Sequence, residues 1–187
     1  MLSVETESKL AKIFLALAEG EKTIDINRQI LVELENFDPY QIFTYLDTNQ
    51  KNYLNNKDLL NYFTEKGINT NVLEINLLIL FYDMDYDGVL SYPEFAYFIQ
   101  SDYSKRGLIQ NNNNNANEIN NLNNNVNFNL SPSIEQALNQ LFSNEINLIK
   151  KIIELLTDLK QRFDFNIHEL YHAVKNYNFI EENSLRN

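Results

Sequence analysis

The sequence predicts an all-α protein, and three observations carry that reading. Apolar residues recur at steps of three and four, helix-capping residues stand where those runs begin and end, and the dominant break in composition is an asparagine tract from Gln110 to Asn129 with too few apolar residues to bury anything. The tract reads as a passive spacer, and it divides the chain into a helical arm (1–37), a helical module (38–105), an Asn-rich linker (106–130) and a C-terminal segment (131–187).

Within the module each helix announces its start. Asp38 followed by Pro39 is an N-cap with a first-turn proline, with Phe37 placed to staple onto Ile42 and Gln41 to complete a capping box. Gly67 marks a helix stop, and Asn71 with Glu74 opens the next helix, through "VLEINLLILFY". That segment is apolar nearly all round, which predicts cover on several sides. After the linker, Ser131 and Pro132 start a long amphipathic helix in which Leu138, Leu141, Phe142, Ile146, Ile149, Ile153 and Leu156 form one stripe. It is expected to reach about Arg162, on the order of 45 Å at ~1.5 Å per residue. The stripe packs either on the rest of the chain or on a partner helix or groove.

Composition narrows the partners. Against 15 Lys and Arg stand 26 Asp and Glu, a formal net charge of -11, so the mean field repels phosphate backbones and anionic membrane surfaces. No cysteine occurs, which removes disulfides, thiolate metal sites and thiol nucleophiles. The start lacks a basic segment followed by an apolar run, and no stretch reaches the roughly eighteen apolar residues of a membrane span. The expectation is a soluble cytoplasmic protein that binds neither nucleic acid nor the membrane interior.

One stretch carries chemistry. In "DMDYDGVLSYPE" the carboxylates alternate, a glycine follows, and a glutamate closes the run. Calcium takes six to eight oxygen ligands at flexible geometry, and a tight twelve-residue loop supplies them from alternate side chains and one backbone carbonyl. Asp83, Asp85 and Asp87 fall at loop positions 1, 3 and 5, with Gly88 at the turn, Val89 offering its carbonyl, Ser91 at position 9 and Glu94 at 12. Ser91 and Glu94 also form a capping box for the outgoing helix.

The stretch is similar to the EF-hand loop of the calmodulin and centrin superfamily. The resemblance implies a pair of helix-loop-helix hands, calcium as the bound ion, and a sister loop nearby. "DTNQKNYLNNKD", Asp47 to Asp58, begins thirty-six residues earlier with its apolar frame intact: Leu54 matches Leu90, and Leu59, Tyr62 and Phe63 match Phe95, Phe98 and Ile99. Its ligand set is damaged. Lys51 puts an ammonium at position 5, Asn52 replaces the glycine, and Asp58 is one methylene shorter than glutamate. This loop is expected to bind calcium weakly or not at all.

A fainter repeat superposes the chain on itself at a shift of 126 residues, with Leu15 on Leu141, Glu19 on Glu145, Ile26 on Ile152 and Phe37 on Phe163. It implies a degenerate third EF-hand-like segment near the C-terminus without calcium ligands. That segment contains "HELYH", His168 to His172, the spacing of a zinc-protease helix. The fifteen residues after it hold no further histidine and no "HxxGxxH" extension, so a zinc metallopeptidase is the remote alternative.

The expected function is therefore a calcium-modulated protein-binding adaptor, not an enzyme, acting on helical or cytoskeletal partners. The alternative is a structural EF-hand subunit of a cytoskeletal or ciliary (axonemal, microtubule-associated) assembly, in which the ion only stiffens the fold.

Overall fold

The computed structural model describes residues 2–100 and 130–165, and among these the fold is helical apart from one two-stranded pairing. In chain order the elements are α1 (Val4–Val32), α2 (Pro39–Leu46), β1 (Tyr53–Leu54), α3 (Asn56–Glu65), α4 (Val72–Tyr82), β2 (Leu90–Ser91), α5 (Tyr92–Ile99) and α6 (Pro132–Lys160). The Asn-rich tract, the third hand from Asn166 onward and the His168–His172 motif lie outside the described residues.

The N-caps read at Asp38, Asn71 and Ser131 form, whereas Gln41 does not complete a box with Asp38. The Asp38 carboxylate accepts from the Tyr40 and Gln41 amides, Asn71 and Glu74 close a reciprocal capping box, and the Ser131 hydroxyl accepts from the Ile134 amide at 3.3 Å. Asn55 and Asp58 make a further box at the start of α3. Gly67 takes a left-handed φ of 69° just past the end of α3, the conformation that a helix stop requires and glycine adopts without a Cβ penalty.

The chain divides into two compact units. In the first, residues 1–19 and 150–187, Leu10, Ile13 and Leu159 form a small core with Leu2, Leu17, Ile152, Leu155 and Phe165 against it. Its polar side is a cluster at the start of α1. Asp164 accepts from the Ser3 amide at 2.8 Å and from the Thr6 hydroxyl at 2.6 Å, and these bonds hold its carboxyl well below the usual carboxylate range. Arg162 pairs with Glu5 at 2.9 Å.

The second unit, residues 20–149, holds the helix-loop-helix pair. Helices α2 and α3 flank the loop 47–58, and α4 and α5 flank 83–94; the loops meet through β1 and β2, antiparallel, with Tyr53 opposite Ser91 and Leu54 opposite Leu90. Leu54, Leu59, Phe63, Ile75 and Phe95 are fully enclosed. Residues 132–149 of α6 lie on this core: Phe142 places its ring 5.0 Å from Phe63, 5.7 Å from Tyr62 and 5.2 Å from Phe98, and Ile134, Leu138, Leu141 and Ile146 are buried beside it. The Tyr62 hydroxyl donates to Asn139 at 2.7 Å, and Lys66 pairs with Glu135. Thus this part of the stripe packs on its own chain. A Cβ on Gly20 would stand 2.5 Å from Leu148 Cδ1, so glycine there admits the Leu148 side chain against the α1 backbone.

One further expectation needs correction. Helix α4 is covered on one side only: Ile75, Leu78 and Ile79 are buried, whereas Leu73, Leu80 and Phe81 are 60%, 56% and 62% exposed. Its uniform apolarity reflects an outward apolar face and not enclosure. Helix α6 ends at Lys160, close to the expected Arg162. The 126-residue repeat pairs positions of unlike burial: Leu141 is enclosed and Leu15 is 58% exposed, and Glu145 is buried and Glu19 exposed.

Candidate metal centre

The loop 83–94 is built from its own amides. After α4 ends at Tyr82, Tyr86 and Gly88 take left-handed backbone at φ 62° and 85°, which turns successive N–H groups inward. The Asp83 carboxylate accepts from the Gly88 amide at 2.8 Å and the Asp87 amide at 3.2 Å; Asp85 accepts from Asp87 at 3.2 Å, and Asp87 from Val89 at 3.0 Å. Carboxylate oxygens of Asp83, Asp85 and Asp87 lie within 4.8 Å of one another, a spacing that can hold a metal ion. Asp83 is buried, and Asp85 and Asp87 are exposed.

Burial works against the Asp83 charge, but the amides of Gly88, Tyr86 and Asp87 outweigh it and hold its carboxyl below the usual range. Asp85 moves the other way: desolvation, then the neighbouring Asp87 and Glu94 charges, push it up. The amides thus favour the charged form of Asp83, while Asp85 stays under the charges of Asp87 and Glu94, which a divalent cation would offset.

Glu94 and Ser91 stand slightly apart from that trio. Glu94 Oε1 accepts from the Met84 amide at 2.7 Å, and Oε2 from the Ser91 amide at 2.8 Å and hydroxyl at 2.6 Å. The capping box read from the sequence is formed, and Glu94 already reaches back over the second residue of the loop. Val89 is half-buried, with its amide spent on Asp87.

The loop 47–58 has the same path with a different occupant. Gln50 and Asn52 take φ 53° and 64°, and the Asn52 amide donates to Asp47 at 2.7 Å. Into the centre comes the Lys51 ammonium, 2.6 Å from Asp58 Oδ2, 3.3 Å from Asp47 Oδ1 and 3.3 Å from the Tyr53 carbonyl oxygen. Burial alone would lower its pKa, but hydrogen bonds to Asp58 and Asp47 outweigh that and raise it.

One feature next to the site was not read from the sequence. Arg28 and Glu145, each 4% exposed, meet at 2.7 Å; Arg28 Nε donates to the Phe98 carbonyl at 2.7 Å, its NH2 group to the Tyr82 hydroxyl at 2.6 Å, and that hydroxyl to Glu145 at 2.7 Å. Tyr82 is the last residue before loop 83–94 and Phe98 is near the end of the outgoing helix, so one guanidinium ties the end of α4 to the end of α5. The signal was available: Arg28 falls between Ile24 and Leu31, and Glu145 between Leu141 and Ile149, at buried steps of three and four.

Residues 38–100 match the family model described as an EF-hand domain pair. No curated protein and no solved structure matches the chain. EF-hand domains bind Ca2+, and the acidic trio Asp83, Asp85 and Asp87 is placed to hold such an ion. With two helix-loop-helix units joined loop to loop across a short antiparallel pairing, residues 38–100 of this chain are an EF-hand pair.

Proposed function

We propose that this chain is a calcium-modulated protein-binding protein without catalytic activity, with one working loop at 83–94. The ligands are Asp83, Asp85, Asp87, the Val89 carbonyl, Ser91 and Glu94. Calcium, when bound, supplies the divalent charge that offsets the crowded carboxylates. Glu94 sits at the third position of α5, so exchanging its bonds to Met84 and Ser91 for a metal bond acts directly on the start of that helix.

The single observation that favours modulation is the Arg28 cluster. It joins the last residue of α4, the Phe98 carbonyl of α5 and Glu145 of α6, so a change in the angle between α4 and α5 disturbs bonds that also hold α6 on the pair. The helix to be loosened is the stretch around Phe142, and the partner it would yield to is an amphipathic helix of like apolar spacing. Calorimetric titration with calcium tests the site: one binding event in the wild type, strongly weakened in Glu94→Gln. Binding of a hydrophobic dye, measured with calcium and with chelator, tests the modulation.

A second reading has its own support. The groove between the hands is already filled by Phe142, whose ring touches Tyr62, Phe63 and Phe98, so the surface a switching adaptor would offer is spent inside the chain. That favours a structural subunit, cytoskeletal or ciliary in location, in which calcium stiffens the fold. Dye binding that does not change with calcium, while calorimetry still shows the site, decides for this reading. Among the described residues no helix is long and apolar enough to cross a membrane.

A further inference from the structure

We propose that loop 47–58 is a cation site which the protein fills with its own ammonium, and that removing Lys51 uncovers a divalent-cation site there. Lys51 Nζ does not point to solvent. It bonds to Asp47, the Tyr53 carbonyl and Asp58, which are the first, seventh and twelfth residues of the loop, three positions from which an EF-hand loop offers oxygen to an ion. The ammonium thus stands in the middle of the ligand set.

The surrounding backbone is already in the shape of the metal loop. Positions 4 and 6 are left-handed in both loops, the sixth amide donates to the first carboxylate in both, at 2.7 Å and 2.8 Å, and the ninth amide donates to the twelfth carboxylate at 2.8 Å in each. The backbone of 47–58 thus follows the path of loop 83–94, with Nζ at the point where the oxygens of residues 1, 7 and 12 converge. A single positive charge on a four-carbon tether offsets two buried carboxylates, Asp47 and Asp58, at all times and at any calcium concentration. The buried carboxylates of the first hand therefore keep a cation independently of calcium.

The full chain is compared as Glu94→Gln and as Glu94→Gln with Lys51→Asp, the first change silencing loop 83–94. Calorimetric titration with calcium alone should show the double variant binding one ion at least about 10-fold more tightly than Glu94→Gln. A matching rise in melting temperature on adding calcium is expected in the double variant, including the case in which it folds only with the ion. In chelator, Lys51→Met should melt below the wild type, since two buried carboxylates lose their cation. A double variant that calcium neither binds nor stabilises overturns the proposal, as does a Lys51→Met chain that melts with the wild type. The wild-type titration reads loop 83–94 separately, so failure of that site is not confused with failure of this one.

Discussion

In both twelve-residue loops the backbone turns left-handed at the fourth and sixth residues, Gln50 and Asn52 in one, Tyr86 and Gly88 in the other, and in both a capping box ends the loop by starting the next helix. What fills them differs. Around 83–94 three carboxylates crowd together within 4.8 Å, and around 47–58 an ammonium sits among the carboxylates at 2.6 Å and 3.3 Å. The path is set by amide-to-carboxylate bonds and by the β1–β2 pairing, while the cation, whether borrowed from solvent or carried on a side chain, answers only the charge that path brings together.

The shared frame gives the largest expected effect. Leu54 and Leu90 face each other across the pairing, 0% and 2% exposed, and truncating either to alanine should cost about 2–5 kcal/mol in denaturant unfolding. Similar losses from the two variants are expected of one shared frame; a loss confined to one would mean that the loops are held separately. Next comes the occupant. Asp87→Lys gives the second loop the residue type found at Lys51, and calorimetry should then show calcium affinity reduced on the order of 100-fold, because a ligand is lost and a positive charge gained.

A smaller effect comes from the residue just before each loop: apolar, buried Leu46 in the first hand, Tyr82 bonded to Glu145 in the second. Burial pushes the Glu145 carboxyl up to about 7, against the opposing bonds from Tyr82 and Arg28. A carboxyl raised on folding favours the folded state below its unfolded value, and that contribution is lost as pH rises through the folded one. Stability should therefore fall between about pH 4.5 and 7, and Glu145→Gln should flatten that slope in thermal melts. The smallest effect lies at position 6. Asn52→Gly should stabilise and Gly88→Ala destabilise by about 1 kcal/mol each, since only backbone strain changes and a Cβ at Gly88 meets nothing within 4 Å.

The hands were legible in the sequence because their constraints are local and periodic: alternating carboxylates, a turn residue, an apolar pairing position and a cap all lie within twelve residues. The damage at Lys51 was legible as a wrong charge, but not as a bond, because where a flexible four-carbon side chain ends depends on the folded loop. The Arg28–Glu145 pair joins residues far apart in the chain, and only packing brings them together. Helix α4 misled for a related reason, since uniform apolarity reads the same whether a face is covered or left open.

The place of Phe142 has a consequence for how the molecule is made. Tyr62, Phe63 and Phe98 leave the ribosome before the helix that covers them, with the asparagine tract still to be synthesised in between. During that interval the nascent hands carry a bare aromatic surface, prone to wrong association, and the last step of their folding waits on a distant contact.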